Sequence, residues 1–125
     1  MNGRGVLLDS MILIDHLNGI AAATEHLGKV GRAAHVSAIT RAEVLTGMTG
    51  DARRAAARFL DCFRFLPLDR EVADLAAELR GLHRWKLPDA FQAALAQRYD
   101  LLLATRDTSG FDPEPQAFVV MPYSL

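Results

Sequence analysis

The chain has 125 residues, half of them hydrophobic and 23% charged, with a formal net charge of −1. Those figures exclude a second independent core, a long disordered stretch and the strong overall field of a protein built to coat a polyanion or an anionic membrane. A single cysteine, Cys62, excludes an internal disulfide framework and any multi-cysteine metal site, and it suits a reducing cytosol. All the basic residues except Lys29 and Lys86 are Arg, the better fork for phosphate. Near the start the uncharged stretch runs only from Gly5 to Leu8, too short for a secretory leader. No run approaches the roughly 18 apolar residues of a membrane span. The expectation is one domain over 1–125, cytoplasmic and without a membrane partner.

Val6-Leu7-Leu8 is apolar without alternation, which predicts a strand covered on both faces. Met11 to Leu17 predicts a helix, stopped by the turn signal Asn18-Gly19. Ile20 to Val30 predicts a second helix, and His35 to Ala38 a second strand. Thr40 to Met48 predicts a third helix, followed by a turn at Gly50-Asp51. From Ala52 to Phe63, Ala55, Ala56, Phe59, Leu60 and Phe63 are expected to share one helical face. Phe65 to Leu68 is a short strand, and Asp69 can cap a helix whose apolar stripe is Val72, Leu75, Ala76 and Leu79, ending near Gly81. Pro88 suits the first turn of a helix reaching Tyr99. Leu101 to Ala104 and Ala117 to Val120 are the last strands.

Short apolar strands alternating with helices predict an α/β fold with a mostly parallel sheet of four to five strands. In such sheets ligands bind beyond the carboxyl ends of the strands. Asp9 follows the first strand directly, Glu43 lies early in the helix after the second, and Asp107 follows the fourth through Thr105-Arg106. Asp89 opens the helix that leads back into that strand, and whether it reaches the same rim depends on how the helix enters the sheet.

Each acid also has a plainer explanation. Asp9 and Asp107 can be helix caps. Thr40-Arg41-Ala42-Glu43 fits a capping box in which Glu43 bonds back to the backbone. Asp89 beside Pro88 complements a helix dipole. Four carboxylates in one place, however, repel and raise one another's pKa values. Hard oxygen ligands suit Mg²⁺ or Mn²⁺, and such ions serve phosphodiester hydrolysis. Taking four acids out of a net charge of −1 leaves +3 for the rest, the sign that suits nucleic acid.

Val6 to Asp15 resembles the opening strand and helix of PIN-domain ribonucleases, and Ser37 to Gly47 resembles their second motif. Leu87-Pro88-Asp89-Ala90 and Leu103-Ala104-Thr105-Arg106-Asp107 are similar to the third and fourth. The short length and the Leu-Pro-Asp-Ala block point to the VapC toxins of toxin–antitoxin pairs. The resemblance implies a PIN-like three-layer α/β/α fold. It also implies a Mg²⁺- or Mn²⁺-dependent endoribonuclease toxin that cuts tRNA, rRNA or mRNA and is silenced by a cognate VapB-type antitoxin. It implies a homodimer, joining antitoxin in a heterotetramer or larger assembly, with Leu45, Met48 and the helix from Ala52 as candidate surfaces. The acidic set falls on Asp9, Glu43, Asp89 and Asp107. Asp9 and Asp89 would be direct metal ligands, Glu43 and Asp107 would act through water, and Ser10 and Thr105 would support them. Two positions depart from the family: Met11 stands where relatives usually have Asn, and Gly110 where many have another acid. The competing reading is a catalytically weakened PIN-like module that binds RNA or antitoxin without cleavage.

Among other polar residues, Arg84, Trp85 and Lys86 lie beside Asp89, where Trp85 can stack a base or close the core and its neighbours can hold phosphate. Arg106 can contact RNA or neutralise the acids. Arg53, Arg54, Arg58 and Arg64 are a solvated face or a second basic patch. Asp15, 1.7 turns from Asp9, is read as a structural or surface acid. His16, His26, His35 and His83 share no metal spacing. Cys62 is expected to be a small buried hydrophobe. The nine glycines form neither G-x-G-x-x-G nor a P-loop, which removes nucleotide-binding α/β alternatives.

Overall fold

Five short strands pair side by side, all in parallel, in a computed structural model that describes residues 4–111 and 116–125. They are β1 (Val6–Leu8), β2 (Ala34–Ser37), β3 (Arg64–Leu66), β4 (Leu102–Ala104) and β5 (Val119–Val120). Their spatial order is β3-β2-β1-β4-β5. The chain steps from β1 out through β2 to β3, then returns to place β4 on the other side of β1. The carboxyl ends of β1 and β4 therefore border the point where the strand order reverses, the usual ligand crevice of an open parallel sheet.

The helices described are α1 (Ser10–Leu17), α2 (Ala21–Val30), α3 (Ala38–Leu45), α4 (Gly50–Leu60), α5 (Arg70–His83) and α6 (Leu87–Arg98). On one face of the sheet, α5 and α6 cover Leu7 and Leu103. On the other, α1 to α4 cover Val6, Leu8, Val36 and Ala104. Successive strand residues point to opposite faces, and both faces are buried. This is why β1 reads as three apolar residues with no polar alternation, and why Leu7 and Leu8 are both fully excluded from solvent. Each such leucine contributes about 1.5–3 kcal/mol by burial.

Most predicted elements stand within two residues of their expected bounds. The exceptions are these. β2 starts and stops one residue earlier than predicted, and α3 begins at Ala38 rather than Thr40. Ser37 is the cap, its hydroxyl accepting the Thr40 N–H at 3.0 Å, so Thr40 lies inside the helix and the Thr40–Glu43 capping box does not form. Gly50-Asp51 opens α4 instead of forming a separate turn. α5 runs past Gly81 to His83 and ends at Arg84, whose φ of 59° is left-handed. Cys62 is exposed: α4 buries Ala56 and Leu60, whereas the Cys62 thiol lies against the carbonyl of exposed Arg58. Among the described residues, no helix is long and apolar enough to cross a membrane.

Candidate active site

A cleft of about 440 Å³ opens above the carboxyl ends of β1 and β4. Asp9, Glu43, Asp89 and Asp107 all line it, together with Ser10, Met11 and Gly110. Four acids spread from residue 9 to residue 107 thus reach one rim, and α6 enters the sheet so that Asp89 is among them.

Asp9 is held on both oxygens. Oδ1 accepts the Ser10 N–H at 2.8 Å, and Oδ2 accepts the Thr105 hydroxyl at 2.8 Å. Thr105, 2% exposed, accepts the Asp107 N–H in turn at 3.1 Å. The cap role expected of Asp9 is therefore real, and it fixes the carboxylate plane at the cleft. Asp107 accepts the Ser109 N–H at 3.0 Å, capping the 3₁₀ turn Thr108–Phe111.

A buried polar cluster, not anticipated from the sequence, joins the elements that carry the acids. Ser37 donates to Gln92 Oε1 at 2.7 Å, and Gln92 Nε2 donates to Thr40 Oγ1 at 2.8 Å. Thr40 donates to the carbonyl of Leu8 at 3.2 Å, directly before Asp9. Thr40 is on α3 with Glu43, and Gln92 is on α6 with Asp89. The signal was a lone glutamine within Ala90-Phe91-Gln92-Ala93-Ala94-Leu95-Ala96, since a buried amide demands partners.

Burial is the main cause that raises the pKa of Asp9, with the Asp107 charge adding and the Thr105 and Ser10 hydrogen bonds opposing. Partial burial also raises Glu43, reinforced by Asp9 and Asp89. Burial likewise raises Asp89, reinforced by Asp9 and Asp107 and opposed by Lys86. Asp107 is lowered by its hydrogen bonds from Ser109. Among the described residues, no three His, Cys, Asp or Glu side chains close into a preformed cage for a metal ion.

The raised values set the sign of a stability profile. The folded chain binds these three protons more tightly than the unfolded chain, so the ionised cluster destabilises the fold at neutral pH. The Tm of metal-free protein is expected to rise as pH falls from 7 through the raised range. Below about 4 it turns down, as Asp15 and Asp107, whose values are lowered, lose their ionised partnerships. A calorimetric series at fixed ionic strength checks this. A Tm that falls steadily from neutral pH would contradict it.

The remaining candidates separate clearly. Ser10 and Thr105 both stand at the cleft rim beside Asp9, and Ser10 partly offsets the upward shift of Glu43. Arg84 and Lys86 line the cleft with exposed side chains. Trp85 lines it too but is 4% exposed, stacked on His83 at 4.1 Å and edge-on to Phe111 at 5.0 Å. It closes the core, and its ring is not available as a base-stacking platform. Arg106 is also corrected. It turns from the cleft to Asp15, with Nε 2.7 Å and Nη2 3.3 Å from the two carboxylate oxygens, and so is already engaged rather than free for RNA. Asp15, 6% exposed, also accepts the Tyr123 hydroxyl at 2.8 Å. Burial alone would push Asp15 up, but the Arg106 and Tyr123 hydrogen bonds and the Arg106 charge hold it below its ordinary value. It is a structural acid. Arg53, Arg54, Arg58 and Arg64 lie outside the cleft, and Arg54 pairs with Asp51.

A parallel sheet in the order 3-2-1-4-5 with acids at its switch point is the architecture of a PIN domain, and residues 6–112 match that domain. The chain is 37% identical over 108 residues to ribonuclease VapC10 of Mycobacterium tuberculosis, covering 80% of each. It belongs to the VapC ribonucleases of the PIN-domain family. Its fold is similar to a toxin–antitoxin complex from Klebsiella pneumoniae, with a TM-score of 0.87 and 32% identity over 97% of this chain and 100% of that one. It is also similar to FitAcB from Neisseria gonorrhoeae, with a TM-score of 0.70 and 28% identity over 85% and 90% of the two chains.

Proposed function

We propose that the acid-lined cleft is the catalytic centre of a divalent-metal-dependent endoribonuclease, acting as the toxin of a toxin–antitoxin pair. The observation that supports this most is the gathering of four carboxylates from separate elements at the β1–β4 switch point, three of them with raised pKa values. A fold tolerates such repulsion when a cation offsets it. The donor set fits Mg²⁺ or Mn²⁺: carboxylate oxygens only, in an open cleft rather than a closed cage. Mg²⁺ keeps several waters and takes one or two carboxylates plus substrate phosphate. Asp9 and Asp89 would hold it directly, and Glu43 and Asp107 through water. When bound, the ion would offset charge at the scissile phosphate and lower the pKa of a water nucleophile.

The chain's own groups do the rest. The Ser10 amide and the Thr105 hydroxyl fix Asp9, so its remaining lone pairs face the cleft. Glu43, its pKa raised, is suited to take a proton from the attacking water. Arg84 and Lys86 at the mouth attract the RNA backbone. Arg84 sits at φ 59°, a conformation that glycine adopts without strain. Arg84→Gly should therefore stabilise the fold by about 1 kcal/mol. The same change should weaken RNA binding and reduce the slope of log K against log salt by about 0.7. An unchanged slope in filter-binding titrations would remove Arg84 from the interface.

The cognate antitoxin is the expected silencing partner, and the expected assembly is a homodimer that joins antitoxin in a heterotetramer or larger complex. Light scattering of the protein alone and with its antitoxin measures both. The activity is tested by incubating antitoxin-free protein with labelled total RNA in Mg²⁺, in Mn²⁺ and in EDTA. Defined fragments that require metal are expected. No cleavage by folded protein in either metal would favour the module that binds without cutting.

A further inference from the structure

Gly110 lies in the 3₁₀ turn after β4, facing α6 across the cleft. A Cβ on residue 110 would stand 2.7 Å from Asp89 Oδ2, 2.9 Å from its Cγ and 3.1 Å from its Oδ1. Those are all three heavy atoms of the carboxylate group, each inside ordinary van der Waals contact. The backbone does not demand glycine here, because Gly110 is not among the glycines with positive φ. The space does.

Asp89 is otherwise loosely held. Asp9 has two hydrogen bonds on its carboxylate and Asp107 has one from Ser109, whereas among the described residues none reaches the Asp89 carboxylate. What limits its rotation on that side is the bare backbone of residue 110. We infer that Gly110 is a positioning residue: it seats the Asp89 carboxylate and sets the direction in which that group faces the cleft. Its consequence for metal rests on the reading of Asp89 as a ligand. An acid placed there would displace Asp89 instead of adding a ligand beside it.

The test uses the antitoxin-free full chain as wild type, Gly110→Ala, Gly110→Asp and Asp89→Asn. Mn²⁺ affinity is read from the free-ion electron paramagnetic resonance signal. In parallel, the Asp89 carboxyl ¹³C shift is read in metal-free protein at one pH. Asp89 is a short side chain that can swing away, so Gly110→Ala should unfold within a few degrees of wild type. It should nevertheless bind Mn²⁺ about 10- to 100-fold more weakly, the usual effect of losing a group that orients a ligand. Its Asp89 resonance should move. Gly110→Asp should weaken Mn²⁺ binding as well. Tighter binding by Gly110→Asp, or an unmoved Asp89 resonance in Gly110→Ala, would overturn the proposal. Wild-type Mn²⁺ affinity in Asp89→Asn would instead remove Asp89 as a ligand, leaving the seat to be judged by the resonance alone.

Discussion

In Asp9→Asn, RNA cleavage should fall by about 10² to 10³-fold while the protein stays folded. The magnitude is that of removing one group that stabilises charge in a transition state. The amide can replace the carboxylate in its hydrogen bonds. Its oxygen accepts the Ser10 N–H, and its NH₂ donates to Thr105 Oγ1, which can turn its own proton to the Asp107 carbonyl at 3.1 Å. No buried polar atom is orphaned, and one of the mutually repelling charges is gone. The metal-free variant should therefore melt at or above the wild-type temperature, a site-for-stability exchange common at active centres. Thermal melts and single-turnover cleavage on one preparation check both halves. Wild-type cleavage by the variant would exclude Asp9 from the reaction.

The second large effect is expected away from the acids. Gln92→Leu should cost about 3 kcal/mol of folding stability, the price of leaving buried partners unsatisfied. Ser37 loses the acceptor at 2.7 Å and Thr40 the donor at 2.8 Å, in a region where all three side chains are at most 3% exposed. Leucine keeps the volume but not the bonds. Because the cluster ties α3 to α6 and to the Leu8 carbonyl, cleavage should also fall although no acid has changed. Chemical denaturation and cleavage under conditions where the variant remains folded separate the two losses. A stability change below 1 kcal/mol would mean that water or rearrangement satisfies the pocket.

The parts legible in the sequence were those where one local requirement dominates. β1 and β4 are covered on both faces, so Val6-Leu7-Leu8 and Leu101 to Ala104 had no polar alternation to confuse with a helix. The acids following them were visible as soon as the strands were. The start of α3 was not, because Ser37 and Thr40 are both competent caps three residues apart. Ser37 is still paired with Leu66 of β3, so β2 ends on Ser37 and that residue becomes the cap. That choice also strips Glu43 of its plainer explanation, since no capping box competes for it. Arg106 and Trp85 were undecidable locally. Arg106 is 91 residues from Asp15, and the packing of Trp85 against Phe111 depends on how the loop after β4 folds.

The placement of β1 at the middle of the sheet has a consequence during synthesis. β1 is made first, yet one of its edges waits for residues 102–104, and Asp15 waits for Arg106 and Tyr123. A nascent chain can pair β1 with β2 and β2 with β3 early, but its cleft lacks a wall and Asp9 lacks the Thr105 hydroxyl. A polypeptide still being extended toward residue 107 therefore carries three of its four acids with no finished centre around them. The order of translation itself delays the appearance of a competent nuclease beside the RNA of the ribosome that makes it.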